Sequence, residues 1–126
     1  MTDPQTAPVF LNLFRIRFPA GAVASIAHRI SGILLFLSLP VLAWLLGLSL
    51  QGPDDYARAV ALLAPAWVRL GSVLLAWSVL HHFIAGIRFL LVDIHMGVSM
   101  PAARITAWLA NVAAVLLALL YAWWVL

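Results

Sequence analysis

The sequence predicts an all-α integral membrane protein with three transmembrane helices, at about 22–50, 67–92 and 103–126, after a short cytoplasmic N-terminal segment. Composition is the first observation behind this. Of 126 residues 66% are hydrophobic and 9% are charged, with a mean hydropathy of +1.11. A soluble domain is clothed in about a quarter charged residues, so a water-soluble globule is excluded. The second observation is where the charges fall. Uncharged runs of 24, 18 and 22 residues follow Arg29, Arg69 and Arg104. A bilayer core of ~30 Å takes about 20 helical residues, so three crossings fit and a fourth does not. The third is chemical: a lone chain in lipid must satisfy its own backbone, and three segments cannot close a barrel.

The same arithmetic excludes other classes. Disorder requires low hydrophobicity. The absence of cysteine rules out a disulfide framework, a Cys-ligated zinc and an iron–sulfur cluster held by this chain alone. The formal charge is +3, but the seven arginines are scattered and make no basic run for nucleic acid.

Taken in order, residues 1–20 read as a cytoplasmic lead-in, where Val9–Phe14 could lie along the interface or against a partner. The first apolar run is too long for a signal peptide, and no small-residue cleavage site follows it. Pro19 precedes the first helix, and Pro40 lies inside it, where a membrane helix tolerates a kink. Residues 51–66, opening on Gly52-Pro53-Asp54-Asp55, read as a polar periplasmic loop. Arg88 near the end of the second helix can snorkel to the surface. Residues 93–102 form a short cytoplasmic loop, and Pro101 marks the next boundary. The third helix ends on Tyr121, Trp123 and Trp124, an interfacial aromatic belt. Residues 1–126 thus make one transmembrane domain.

Orientation follows from the arginines. Arg15, Arg17, Arg29, Arg88 and Arg104 fall on one side, against Arg58 and Arg69 on the other. The N-terminus then faces the cytoplasm and the C-terminus the periplasm.

In so apolar a chain, each polar group within a span poses a functional question. The second span holds His81 and His82 near its middle. Either imidazole could simply bond a neighbouring helix, or it could ligate haem iron. Residues four apart share a helix face. The His82 stripe, Ser78–His82–Gly86, is small on both sides and leaves room for a flat macrocycle, whereas Trp77 crowds His81 in Trp77–His81–Ala85. Spacing therefore favours His82. At the start of the first span, Ser25 and Arg29 lie one turn apart with His28 beside them. Arg29 could be a snorkelling boundary cation with Ser25 bonded back to its own helix. Alternatively the three line a polar pocket for a quinone carbonyl or a haem propionate. Arg88 lies six residues beyond His82, roughly 9 Å along a helix, so both clusters fall toward the cytoplasmic face. No residue of this chain is an obvious second axial ligand.

Three strings now stand out: Ile16-Arg17-Phe18-Pro19, then Ser25-Ile26-Ala27-His28-Arg29-Ile30-Ser31-Gly32, then His82-Phe83-Ile84-Ala85-Gly86-Ile87-Arg88 with Asp93 five residues on. In order and spacing, over residues 8–93, they resemble the cytochrome b anchor subunit of bacterial succinate dehydrogenase, a component of respiratory complex II. The third helix agrees only in being apolar.

The resemblance implies roles. His82 matches the axial ligand of haem b, with the other ligand on a second anchor subunit. Ser25 and Arg29 match residues of the ubiquinone site, and His28 a position near the haem propionates; the geometry above would aim those propionates at His28 and Arg29 together. Arg88 and Asp93 match positions with a supporting electrostatic role. The implied partners are a flavoprotein with FAD that oxidises succinate, an iron–sulfur subunit, the second anchor and lipid of the bacterial inner membrane. Two departures stand out: Ala7 and Phe89 occupy positions where the family often has Arg and His. Two alternatives stay open at this point, the anchor of a quinol:fumarate reductase and a cofactor-free structural anchor.

Overall fold

A computed structural model describes residues 17–126; Val9–Phe14, Ala7 and Arg15 lie outside the described residues. The described chain folds as α1 (Ala20–Ser49), α2 (Pro53–Leu63), α3 (Ala66–Asp93) and α4 (Met100–Val125). The three long helices are each long and apolar enough to cross a membrane. Their bounds fall within three residues of the sequence expectation, the usual scatter for helix ends. Proline marks all three of these starts: Pro19 and Pro65 directly precede α1 and α3, and Pro101 lies in the first turn of α4. Pro40 sits inside α1 without ending it.

The link expected as a loop contains an eleven-residue helix, α2. Its start has a physical rationale. Pro53 occupies a first-turn position where its missing N–H costs nothing, and Asp54 and Asp55 face the positive end of the helix dipole. Gly52 precedes it with φ 154°, a conformation closed to other residues. Ala59 is its buried residue, and α1 is its main neighbour.

α3 is central, packing on α4 and on α1. Its buried residues are Ser78, His81 and Ala85, and those of α4 are Ala107, Ala110, Ala114 and Ala118. Lipid tails are as apolar as leucine, so membrane helices associate by close packing of small residues, and this stripe permits it. Near the start of α1, Ala20 and Ala24 pack with Ala107.

Hydrogen bonds tie the two ends of the α3–α4 pair. Arg88 does not simply snorkel: its Nε donates to Thr106 Oγ1 at 3.1 Å and its Nη2 to the Ala103 carbonyl at 3.0 Å. At the opposite end Tyr121 donates to Ser72 Oγ at 3.1 Å, and Arg69 Nη1 to the Val125 carbonyl at 3.4 Å. α3 closes in a Schellman motif. The His95 N–H bonds the Val92 carbonyl and the Met96 N–H that of Leu91, with His95 at φ 63° where glycine is usual.

The second half of α1 buries little. Ile33, Phe36, Leu37, Leu39, Trp44 and Leu46 are all exposed. That face suits lipid or further membrane helices.

Candidate functional site

The site is built where α1 crosses α3. The His28 and His82 rings stack with centroids 4.0 Å apart and planes 12° from parallel. Phe89 closes the far edge of His28, edge-on at 5.2 Å. His82 Nδ1 lies 3.2 Å from the His28 carbonyl and 3.3 Å from Ser31 Oγ. Ser31 is fully buried, and its hydroxyl donates to that same carbonyl at 2.8 Å. A carbonyl can only accept, and the one Ser31 proton is already used. The Nδ1 of neutral His82 therefore carries the ring proton, and the lone pair belongs to Nε2. Among the described residues Nε2 has no hydrogen-bond partner.

Metal-ligating histidines have this arrangement: the second nitrogen donates to a carbonyl, which fixes tautomer and orientation. The described residues contain no group of three His, Cys, Asp or Glu able to hold a bare metal ion. A single free imidazole nitrogen instead suits a metal whose other ligands arrive with it, as in a haem. His28 does not complete such a pair, because stacked parallel rings cannot approach one iron from opposite sides.

His81 differs in every respect. It is 1% exposed and directed at α4, where Nε2 lies 2.9 Å from Asn111 Oδ1. Trp77 lies against it at 5.4 Å, as its spacing predicts. Sequence reasoning passed over Asn111, although a carboxamide midway along an apolar span is itself a signal.

Gly86 faces His28, and a Cβ there would meet His28 Nε2 at an ordinary 3.6 Å. Gly32 is the tighter position, since a Cβ there would stand 3.0 Å from His82 Cε1. Ser25 is half-buried and Arg29 exposed, one turn apart on α1 beside His28. Neither side chain makes a hydrogen bond or ion pair among the described residues. A cavity of about 580 Å³ opens at this end of the bundle, with Pro19, Gly21, Arg88, Pro101 and Arg104 in its walls and neither Ser25 nor Arg29 among them. Any quinone pocket at Ser25 and Arg29 thus needs walls from outside the described residues.

Comparison with known proteins bears on what this arrangement is for. Residues 3–121 match the model of a family described as succinate dehydrogenase/fumarate reductase transmembrane subunit. The chain belongs to that family. A curated relative, the succinate dehydrogenase cytochrome b556 subunit of Coxiella burnetii, is 34% identical over 94% of this chain and 95% of its own length. The same-named subunit of Rickettsia felis is 34% identical over 87% of this chain and 84% of its own. That of Rickettsia prowazekii is 35% identical over 76% and 74%. The chain is thus a multi-pass membrane anchor of the succinate dehydrogenase cytochrome b type, in agreement with the resemblance.

Proposed function

We propose that this anchor subunit serves a succinate:ubiquinone oxidoreductase of the bacterial cytoplasmic membrane. It holds one face of a haem b through His82 and contributes Ser25 and Arg29 to the site of ubiquinone reduction. The observation that carries the proposal is the 3.2 Å approach of His82 Nδ1 to the His28 carbonyl, which requires an Nδ1–H and leaves Nε2 without a hydrogen-bond partner among the described residues. The relatives' name, cytochrome b556, supports a haem as the occupant.

When bound, the haem supplies a one-electron centre within the bundle. The chain's own residues do the rest. His28 orients the His82 ring through its carbonyl and covers one face of it. Ser25 and Arg29 donate hydrogen bonds to quinone oxygens, which stabilise negative charge as electrons arrive. With five of the seven arginines on the side of Ser25 and Arg29, that side faces the cytoplasm, and protons reach the quinone by a short path. A second anchor subunit would supply the other ligand to the iron, and the exposed face of α1 offers it a seat. Electrons come from an FAD flavoprotein through an iron–sulfur subunit.

Purification of the complex from native membrane tests this reading, with mass spectrometry for the partners and an optical spectrum for the haem. Four co-purifying subunits and a reduced b-type spectrum are expected. A colourless complex would leave a structural anchor, and quinol–fumarate turnover faster than succinate–quinone turnover would reverse the direction. Gly32→Ala tests the ring's surroundings: the added Cβ must displace the imidazole, at about 1–3 kcal/mol for overpacking. It should lower haem content per complex, and Gly86→Ala should not.

A further inference from the structure

We propose that the His81–Asn111 hydrogen bond is a rotational clamp on α3, which makes His81 and Asn111 positioning residues for His82. The inference rests on the reading of His82 as a haem ligand.

The buried stripe of α4 is all alanine, and α3 answers it with Ser78 and Ala85 on either side of His81. Such a surface is smooth: small residues allow close approach but resist rotation about the helix axis poorly. Directional bonds must supply that resistance. Arg88–Thr106 and Tyr121–Ser72 sit toward the two ends of the pair, and His81–Asn111 at 2.9 Å is the bond at mid-depth. It alone adjoins His82 in sequence.

Helix geometry converts this pin into an aim. At 3.6 residues per turn, consecutive side chains diverge by about 100°. With residue 81 held against α4, residue 82 must point away from it, toward α1. There its Nδ1 meets the His28 carbonyl and Ser31, and its Cε1 meets the open side of Gly32. Rotation by one residue would bring His81 to α1 in place of His82 and swing His82 away from both neighbouring helices. Two adjacent imidazoles make that error chemically possible, and the bond to Asn111 selects between them.

The pair is poorly optimised as a source of stability. His81 Nδ1 and Asn111 Nδ2 are both buried with no hydrogen-bond partner among the described residues. Leaving two polar groups unpaired in an apolar interior is unfavourable, so replacing both partners with apolar residues can be neutral or stabilising. Direction is what this pair supplies and two leucines could not.

The test uses the intact complex with His81→Leu, Asn111→Leu, the double variant and His81→Gln, whose amide can still donate to Asn111. Thermal stability, haem content, and the linewidth and g values of the oxidised haem in EPR are measured together. The three leucine variants should keep haem within about twofold, while their EPR signal broadens or splits into more than one population. The double variant should melt no lower than the wild type, and His81→Gln should restore a single narrow signal. Unchanged EPR signals in all three leucine variants would overturn the clamp. Broadening that merely follows a fall in melting temperature would also overturn it, in favour of a packing role. Failure of the underlying reading is separately visible: His82→Ala would then retain the haem.

Discussion

His82→Ala should strip haem from the complex, and His81→Ala should leave haem in place. The structure gives the two neighbouring imidazoles opposite tasks. His82 Nε2 has no hydrogen-bond partner among the described residues, while its Nδ1–H is committed to the His28 carbonyl. His81 Nε2 is engaged with Asn111, and its Nδ1 is buried against its own helix interface. Loss of a group that merely orients a metal ligand lowers affinity ~10–100-fold, so removal of the ligand itself should lower haem content at least tenfold. His81→Ala should keep the haem and alter only the uniformity of its signal, as expected for loss of a rotational constraint. The pair of variants makes the test internal, because both remove one imidazole from consecutive positions of α3. Haem retained in His82→Ala and lost in His81→Ala would transfer the ligand to His81.

What could be read from the sequence divides by the range of the interaction involved. The spans were legible because lipid imposes length and apolarity locally, and charged residues mark where each run stops. α2 was legible in principle: Pro53, Asp54 and Asp55 compose a helix start. The polar opening of the link favours a loop, and the helix depends on the Ala-rich stretch behind it. The preference for His82 over His81 came from neighbours one turn away, and the crowding of His81 by Trp77 is present at 5.4 Å. What stands beside Gly86 is His28 from another helix, a neighbour that its own stripe does not disclose. The His28–His82 stack, the Gly32 contact and the His81–Asn111 bond all depend on the relative rotation and height of two helices. Periodicity within one helix says which residues share a face. It does not say which face of a neighbour they meet.

Arg29→Ala should depress quinone reduction strongly while succinate oxidation with an artificial dye acceptor continues. Arg29 lies nine residues into α1, about 13 Å along the helix from its start. It is exposed and makes no ion pair or hydrogen bond among the described residues. A cation in a span with no partner among the described residues is costly and marks a functional contact. Ser25 sits one turn away, half-buried and likewise without a side-chain hydrogen bond among the described residues. Two donors on one face of a helix, both uncommitted, are what the carbonyl oxygens of a quinone require. Removing one donor to a developing oxyanion costs about 10²–10³ in rate, and the loss of Arg29 should fall in that range. Ser25→Ala removes a neutral bond worth ~1 kcal/mol and should slow the reaction about fivefold. Arg29→Lys keeps the charge but loses the planar fork, so its rate should fall between those of Arg29→Ala and the wild type. The dye-linked rate serves as the control, since it reports an assembled flavoprotein whose electrons never reach the quinone. If dye and quinone activities decline in parallel across the three variants, Arg29 belongs to the assembly of the complex and the quinone contact must be sought elsewhere.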